Sequence, residues 1–201
     1  MDSLKFSIFD IFAYIMPGLV GLLAAMLLLD TSIIGLMDVA RTFQNIDLGT
    51  GIAVAAVAYI VGSGIDSIGD WLYKSIGFRL WGYPYVETPV GILQERALVR
   101  EYSPENYTYL QIWKVMSSMS HNLSASTLIL AIVCIIRAVN LHLLEWGVLA
   151  VVAVVFSVIF LRRAHVFNYM HYRDMANTVE ALHLEQRAIK DSGGRKGQKG
   201  S

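Results

Sequence analysis

Gly62, Asp66 and Asp70 follow one another at four-residue steps, with Ser67 beside the first aspartate. On a helix this spacing places all three on one face. Two carboxylates so arranged can hold Mg²⁺ only with help from substrate phosphates or water, or they can pair with Lys74, one turn beyond Asp70. A second polar group, Ser117, Ser118, Ser120, His121, Asn122, Ser124, Ser126 and Thr127, opens an otherwise apolar stretch. Polar side chains within a membrane usually face protein or water. This group and Asp66 are therefore expected to line a polar vestibule or to join helices by hydrogen bonds. No catalytic residue is expected: there is no G-x-S-x-G, and no serine has a histidine and an acid at recognisable spacing. His165 and His171 are six apart and fall on different helix faces, which is no zinc pair. The single cysteine, Cys134, excludes an internal disulfide and a multi-cysteine metal site. Neither a metal nor a cofactor is expected.

The elements that must position these residues are membrane spans. Of the 201 residues, 55% are hydrophobic and 16% charged, against about 45–50% and about 25% in soluble domains. The apolar residues are gathered in long uncharged runs, which read as spans when they reach about 18 residues. The expected fold is all-α and polytopic, a single membrane domain over residues 1–190. Its four spans are at about 11–29, 48–66, 116–138 and 146–162. A helical segment at about 72–114 and a C-terminal helix at about 163–190 should lie outside the lipid, with a disordered basic tail at 191–201. Formal net charge is zero, so no global field recruits nucleic acid.

Local features refine each span. Pro17-Gly18 should kink the first or end a short leading turn, with the kink facing protein, because a freed carbonyl in lipid needs a partner. A short interfacial helix is expected in the loop at 31–47. In the second span Gly51/Ala55 and Ala58/Gly62 have the small-x-x-x-small spacing that lets helix backbones approach. Thr88-Pro89 and Ser103-Pro104-Glu105 read as helix starts, the second continuing into the third span. Arg137 should end that span and snorkel to the surface. Trp71 and Trp81 on one side, and Arg162 and Arg163 on the other, read as interface anchors. Tyr172, Met175, Val179, Leu182, Gln186 and Ile189 form an apolar seam, expected to rest on the 71–114 segment, with self-association as the rival use. Lys and Arg concentrate in 71–114 and after residue 161, which puts both termini on the cytoplasmic side.

The pattern G-x-x-x-D-x-x-x-D resembles the second half of the CDP-alcohol phosphotransferase motif, a family in which aspartates hold a divalent metal and a nucleotide-lipid. The first half, D-x-x-D-G-x-x-A-R, is absent. That region reads GIAVAAVAYI, so the activity is not carried over. The opening FDIFAYIMPGL, the four spans and RRAHVFNYMHYRDM resemble bacterial four-helix inner-membrane proteins, some of which accompany antiphage defence loci. The resemblance implies an inner-membrane subunit of a sensing or permeabilising kind. The expected role is a non-enzymatic, oligomeric membrane subunit, pore-forming or sensing, controlled from its cytoplasmic face. Its partners would be the lipid bilayer and either further copies or a cytoplasmic protein. The rival is a membrane enzyme acting on lipid-linked phosphate through Asp66 and Asp70. A small transporter is the third reading, and no pair of interrupted helices in matching halves supports it.

Overall fold

Four helices long and apolar enough to cross a membrane dominate the computed structural model. They make this a multi-pass, all-helical membrane protein. The structure describes residues 2–44, 47–85 and 91–188, with side chains from residue 11 onward. The element order is α1 (Asp2–Leu29), α2 (Leu36–Phe43), α3 (Leu48–Leu72), α4 (Phe78–Trp81), α5 (Ile92–Tyr102), α6 (Pro104–Leu141) and α7 (Leu144–Ala181), with a π-helical turn, Tyr73–Gly77, joining α3 to α4. No strand occurs among the described residues.

Helix ends follow the local chemistry. Asp47 caps α3, its carboxylate accepting from Thr50 N at 3.0 Å. The loop before α3 contains the expected short helix, α2. Asp38 folds back to accept from Gly35 N at 3.0 Å and Ile34 N at 3.1 Å. Those two donors hold its carboxyl below the ordinary carboxylate value. Pro104 occupies the first turn of α6, where its missing N–H costs nothing. Ser103 stands at the N-cap position without capping through its side chain; its hydroxyl accepts from Asn106 Nδ2 instead. Thr88 and Pro89 lie outside the described residues, and α5 begins after Gly91. The α6–α7 turn is tight, with His142 in the left-handed region at φ 54°.

α1 runs through Pro17 without a break, and Pro17 is buried, facing protein. Gly18 meets the backbone of Ala58, and Gly62 meets the backbone of Tyr14. A methyl group at either glycine would overlap those atoms, so α1 and α3 cross at backbone contact. Ala58, Gly62, Ile65, Gly69 and Leu72 form the buried face of α3. Gly51 and Ala55, expected to share in it, are only half-buried.

The most extensive pair is α6–α7. α7 presents Ala150, Ala153, Ser157, Leu161 and Ala164 as a buried small-residue face, and α6 answers with serines. Ser124 Oγ donates to Ser157 O at 2.9 Å and Ser157 Oγ to Ser124 O at 2.9 Å. Ser117 Oγ donates to Ala164 O at 3.0 Å. Within the bundle α7 packs on α6, whereas α1 packs on both α3 and α6. Hydrogen bonds of this kind in lipid are worth about 0.6 to 1.7 kcal/mol. Ser157→Ala should therefore lower unfolding free energy in detergent by about 1 kcal/mol, readable as the shift in midpoint of a denaturing-detergent titration.

One expectation is overturned. Arg137 does not snorkel. It is buried, and its guanidinium turns inward to the end of α1. Nε donates to Leu27 O at 2.6 Å, Nη2 to Asp30 O and Nη1 to Ile33 O. These carbonyls have no helical partners beyond the last turn, and a planar fork of five donors fits them. The ring of Trp146 lies 5.3 Å from the same guanidinium, and Trp146 Nε1 donates to Ile34 O at 2.9 Å.

α6 and α7 have 38 residues each, so each extends about 57 Å, against about 30 Å of hydrocarbon. The surplus lies at one end. There α5 packs on the start of α6 and the end of α7 around Leu98, Val99, Leu110, Met175, Val179 and Leu184, with Tyr172 and Leu182 against them. Tyr172, Met175, Val179 and Leu182 of the seam are thus packed within the chain, whereas Gln186 is exposed. The C-terminal helix is interrupted: α7 stops at Ala181, His183 takes φ 50°, and helix resumes over 184–188. The turn lets Leu184 return into this cluster, fully buried, which a straight helix would not permit. Ile189 lies outside the described residues.

Candidate functional site: a polar junction at the membrane boundary

Counting from the capped start of α3, Asp66 lies about 27 Å along the helix. The same rise along α7 from Leu144 reaches Arg162. Asp66 therefore lies about one hydrocarbon thickness, about 30 Å, from the start of α3. α3 and α6 bring it against the second polar cluster. Asp66 Oδ1 accepts from Asn122 Nδ2 at 2.8 Å and from Ser118 Oγ at 3.0 Å. His121 Nε2 stands 3.6 Å away, at ion-pair distance. Gly69 makes the approach possible: a methyl group there would meet Asn122 Oδ1 at 2.5 Å and His121 Cδ2 at 2.9 Å.

The environment is asymmetric. The Asp66 side chain is 38% exposed and that of His121 only 8%. His121 stacks on Tyr73, with ring centroids 6.0 Å apart, and Tyr73 OH accepts from Asn168 Nδ2 at 3.2 Å. Both ring nitrogens of His121 and Oδ1 of Asn122 and Asn168 are buried without a hydrogen-bond partner. The junction therefore links α3, the π-turn, α6 and α7 through one polar seam, with Asp66 as its half-exposed edge.

Asp70 belongs elsewhere. It pairs with Lys74 at 2.6 Å on the exposed side, as the i,i+4 spacing suggests. The two aspartates thus serve different partners, and no shared carboxylate site for a metal or a lipid phosphate is formed by them. Ser67 is exposed and outside the cluster. No group of three or more His, Cys, Asp or Glu that could hold a metal occurs among the described residues. Of the aromatic anchors, Trp71 points outward, 65% exposed. Trp81 is half-buried, with its ring 6.0 Å from that of His165. Arg162 and Arg163 are exposed, and Arg163 lies over the Phe167 ring at 5.2 Å.

Four residues escaped the sequence reading. Ser157 is a polar residue on the small face of a valine-rich span. Asn168 and Tyr73 form a link between elements that local patterns do not connect. Glu95 is 1% exposed; its signal was legible, because Ile92, Glu95, Leu98, Val99 and Tyr102 share one stripe of α5.

Asn122 is fully buried and has two polar ends, so its removal should cost more than removal of the half-exposed Asp66 charge. Asn122→Ala is expected to destabilise by about 1.5–3 kcal/mol, the worth of its hydrogen bond to the charged Asp66. Asp66→Asn, which keeps an acceptor, should cost less than about 1 kcal/mol. Thermal unfolding of both variants in one detergent gives the ranking. Comparison with known proteins adds no constraint: no family model, curated protein or solved structure matches this chain.

Proposed function

We propose that this protein is a non-enzymatic membrane subunit in which a water-facing helical layer governs the state of the four-helix bundle. The observation that carries the reading is the continuity of α6 and α7. Each runs unbroken from the spanning region into the layer completed by α5, and the polar junction sits at the crossing point. A rigid helix passes displacement along its length, and hydrogen-bonded contacts have discrete arrangements between which a load can choose.

Charge supports a cytoplasmic position for the layer. Its side of the bundle carries Lys74, Arg79, Arg96, Arg100, Lys114, Arg162, Arg163, Arg173 and Arg187. The other side has Arg41 and Arg137, and Arg137 is buried. This strengthens the bias by which basic loops stay inside. Ala58 and Gly62 of α3, and Met175 and Val179 of the C-terminal seam, are used within the chain. Association with further copies in a sensing or pore-forming assembly would therefore run through lipid-facing surfaces such as Ile52, Val57 and Ile60 of α3 or Val148, Val151 and Val155 of α7.

Cys134, the single cysteine, is fully buried in the spanning part of α6 and reports on the bundle. Val99 is fully buried in the layer, and Val99→Asp should unseat α5. In proteoliposomes, coupling predicts that this variant speeds alkylation of Cys134 by N-ethylmaleimide several-fold while helical circular dichroism of the bundle persists. An unchanged rate, with α5 released, ends the proposal.

A further inference from the structure

Glu95 is a buried acid in the water-facing layer. It lies on the apolar stripe of α5, 1% exposed, and its Oε2 is buried without a hydrogen-bond partner. A buried carboxylate without compensation costs several kcal/mol in order of magnitude and calls for a cation or a donor. Arg96, its neighbour in sequence, turns to Tyr107 OH at 3.4 Å instead.

Glu95 lines a cleft of about 340 Å³ between α5 and the end of α7. Glu180, His183, Glu185 and Gln186 line it too, with Val179 as an apolar wall. The turn at Leu182–His183 carries Glu185 and Gln186 back over α5. Three carboxylates thus surround one cleft, and among the described residues no Lys or Arg contributes to its lining.

We propose that this cleft binds an organic cation, an alkylammonium or guanidinium group, with Glu95, Glu180 and Glu185 as the counter-charge. A bare metal ion fits less well. The cleft is many times the volume of one, and no three His, Asp or Glu among the described residues converge closely enough to ligate it. An amine on a hydrocarbon stem matches both features, its head against the carboxylates and its methylenes along Val179 and Ala176. The cation has two sources. One is a free polyamine. The other is the chain's own sequence beyond residue 188, which contains Lys190, Arg195, Lys196 and Lys199. The site stands whether or not the layer governs the bundle.

Isothermal titration of the full chain in detergent with spermidine tests this, alongside a variant with Lys190, Arg195, Lys196 and Lys199 all changed to Gln. Saturable binding by wild type that the tail variant leaves unchanged identifies a free amine as the ligand. Tighter binding by the tail variant identifies the chain's own cations as the occupant. Glu95→Gln should weaken binding at least about tenfold, the effect of one tenth-power step in affinity per 1.4 kcal/mol. The same variant should melt higher than wild type without ligand and no longer respond to spermidine, which separates lost binding from lost folding. The proposal is overturned if neither protein binds spermidine, if Glu95→Gln binds as well as wild type, or if Mg²⁺ displaces the amine at equal concentration.

Discussion

Arg137→Ala should destabilise the protein by about 3–5 kcal/mol, because the carbonyls it serves are left unpaired at about 1–3 kcal/mol for each buried one. The substitution leaves the carbonyls of Leu27, Asp30 and Ile33 without their donor and removes the cation from the Trp146 ring. Lys at this position restores the charge but not the fork, because an ammonium on a flexible stem cannot serve three carbonyls in fixed directions. Arg137→Lys should therefore recover less than half of the loss. Midpoints of thermal unfolding in detergent give the order wild type, Lys, Ala. Limited proteolysis should cut Arg137→Ala first within 30–44, where the loop has lost its anchor. Equal stability of wild type and Arg137→Ala would show that the guanidinium is not holding the end of α1.

The second large effect is at the α1–α3 crossing. Gly62→Ala adds one methyl group where the backbone of Tyr14 already stands, and Gly18→Ala does the same against Ala58. Neither neighbour is the end of a flexible side chain, so the helices must part. Overpacking costs about 1–3 kcal/mol and occasionally more. Parting also loses the close contacts that drive helix association in lipid. Each variant should lose about 3 kcal/mol. Gly64→Ala is the internal control: its added methyl group meets nothing within 4 Å, and helix propensity favours Ala over Gly by about 1 kcal/mol. It should be neutral or stabilising. Denaturing-detergent titration of the three variants decides the matter, and a similar loss at Gly62 and Gly64 would remove the crossing as the cause.

The spans were legible because lipid imposes length and composition, and four runs satisfied both. The start of α6 was legible for a related reason, since Pro104 acts within one helical turn. Interaction between distant elements was not. Arg137 reads as a terminal basic residue, and only carbonyls at the end of α1 and in the loop after it, more than one hundred residues earlier, make it internal. Asp66 and Asp70 look equivalent in sequence, a matched pair on one face. The structure separates them because Gly69 admits α6 beside Asp66, while Asp70 is one turn further along and meets Lys74. The glycine at 62 was recognised as a packing residue; its neighbour could not be named without Gly18 on the opposing helix. Glu95 carried a readable warning, an acid on an apolar stripe, whose meaning depended on how α7 ends.

α7 is held in the bundle along one edge, against α6, with the serine pair near the middle of its spanning length. The opposite side, including Val148, Val151, Val155 and Ile159, is open to acyl chains. A cylinder supported along one side has a rocking freedom that an enclosed one lacks. Bilayer thickness acts on such a freedom directly, because a hydrophobic length that mismatches its surroundings is accommodated by tilt. Thin and thick membranes should therefore set α7 at different inclinations about the Ser124–Ser157 fulcrum, and its far end would swing like a lever through the water beyond.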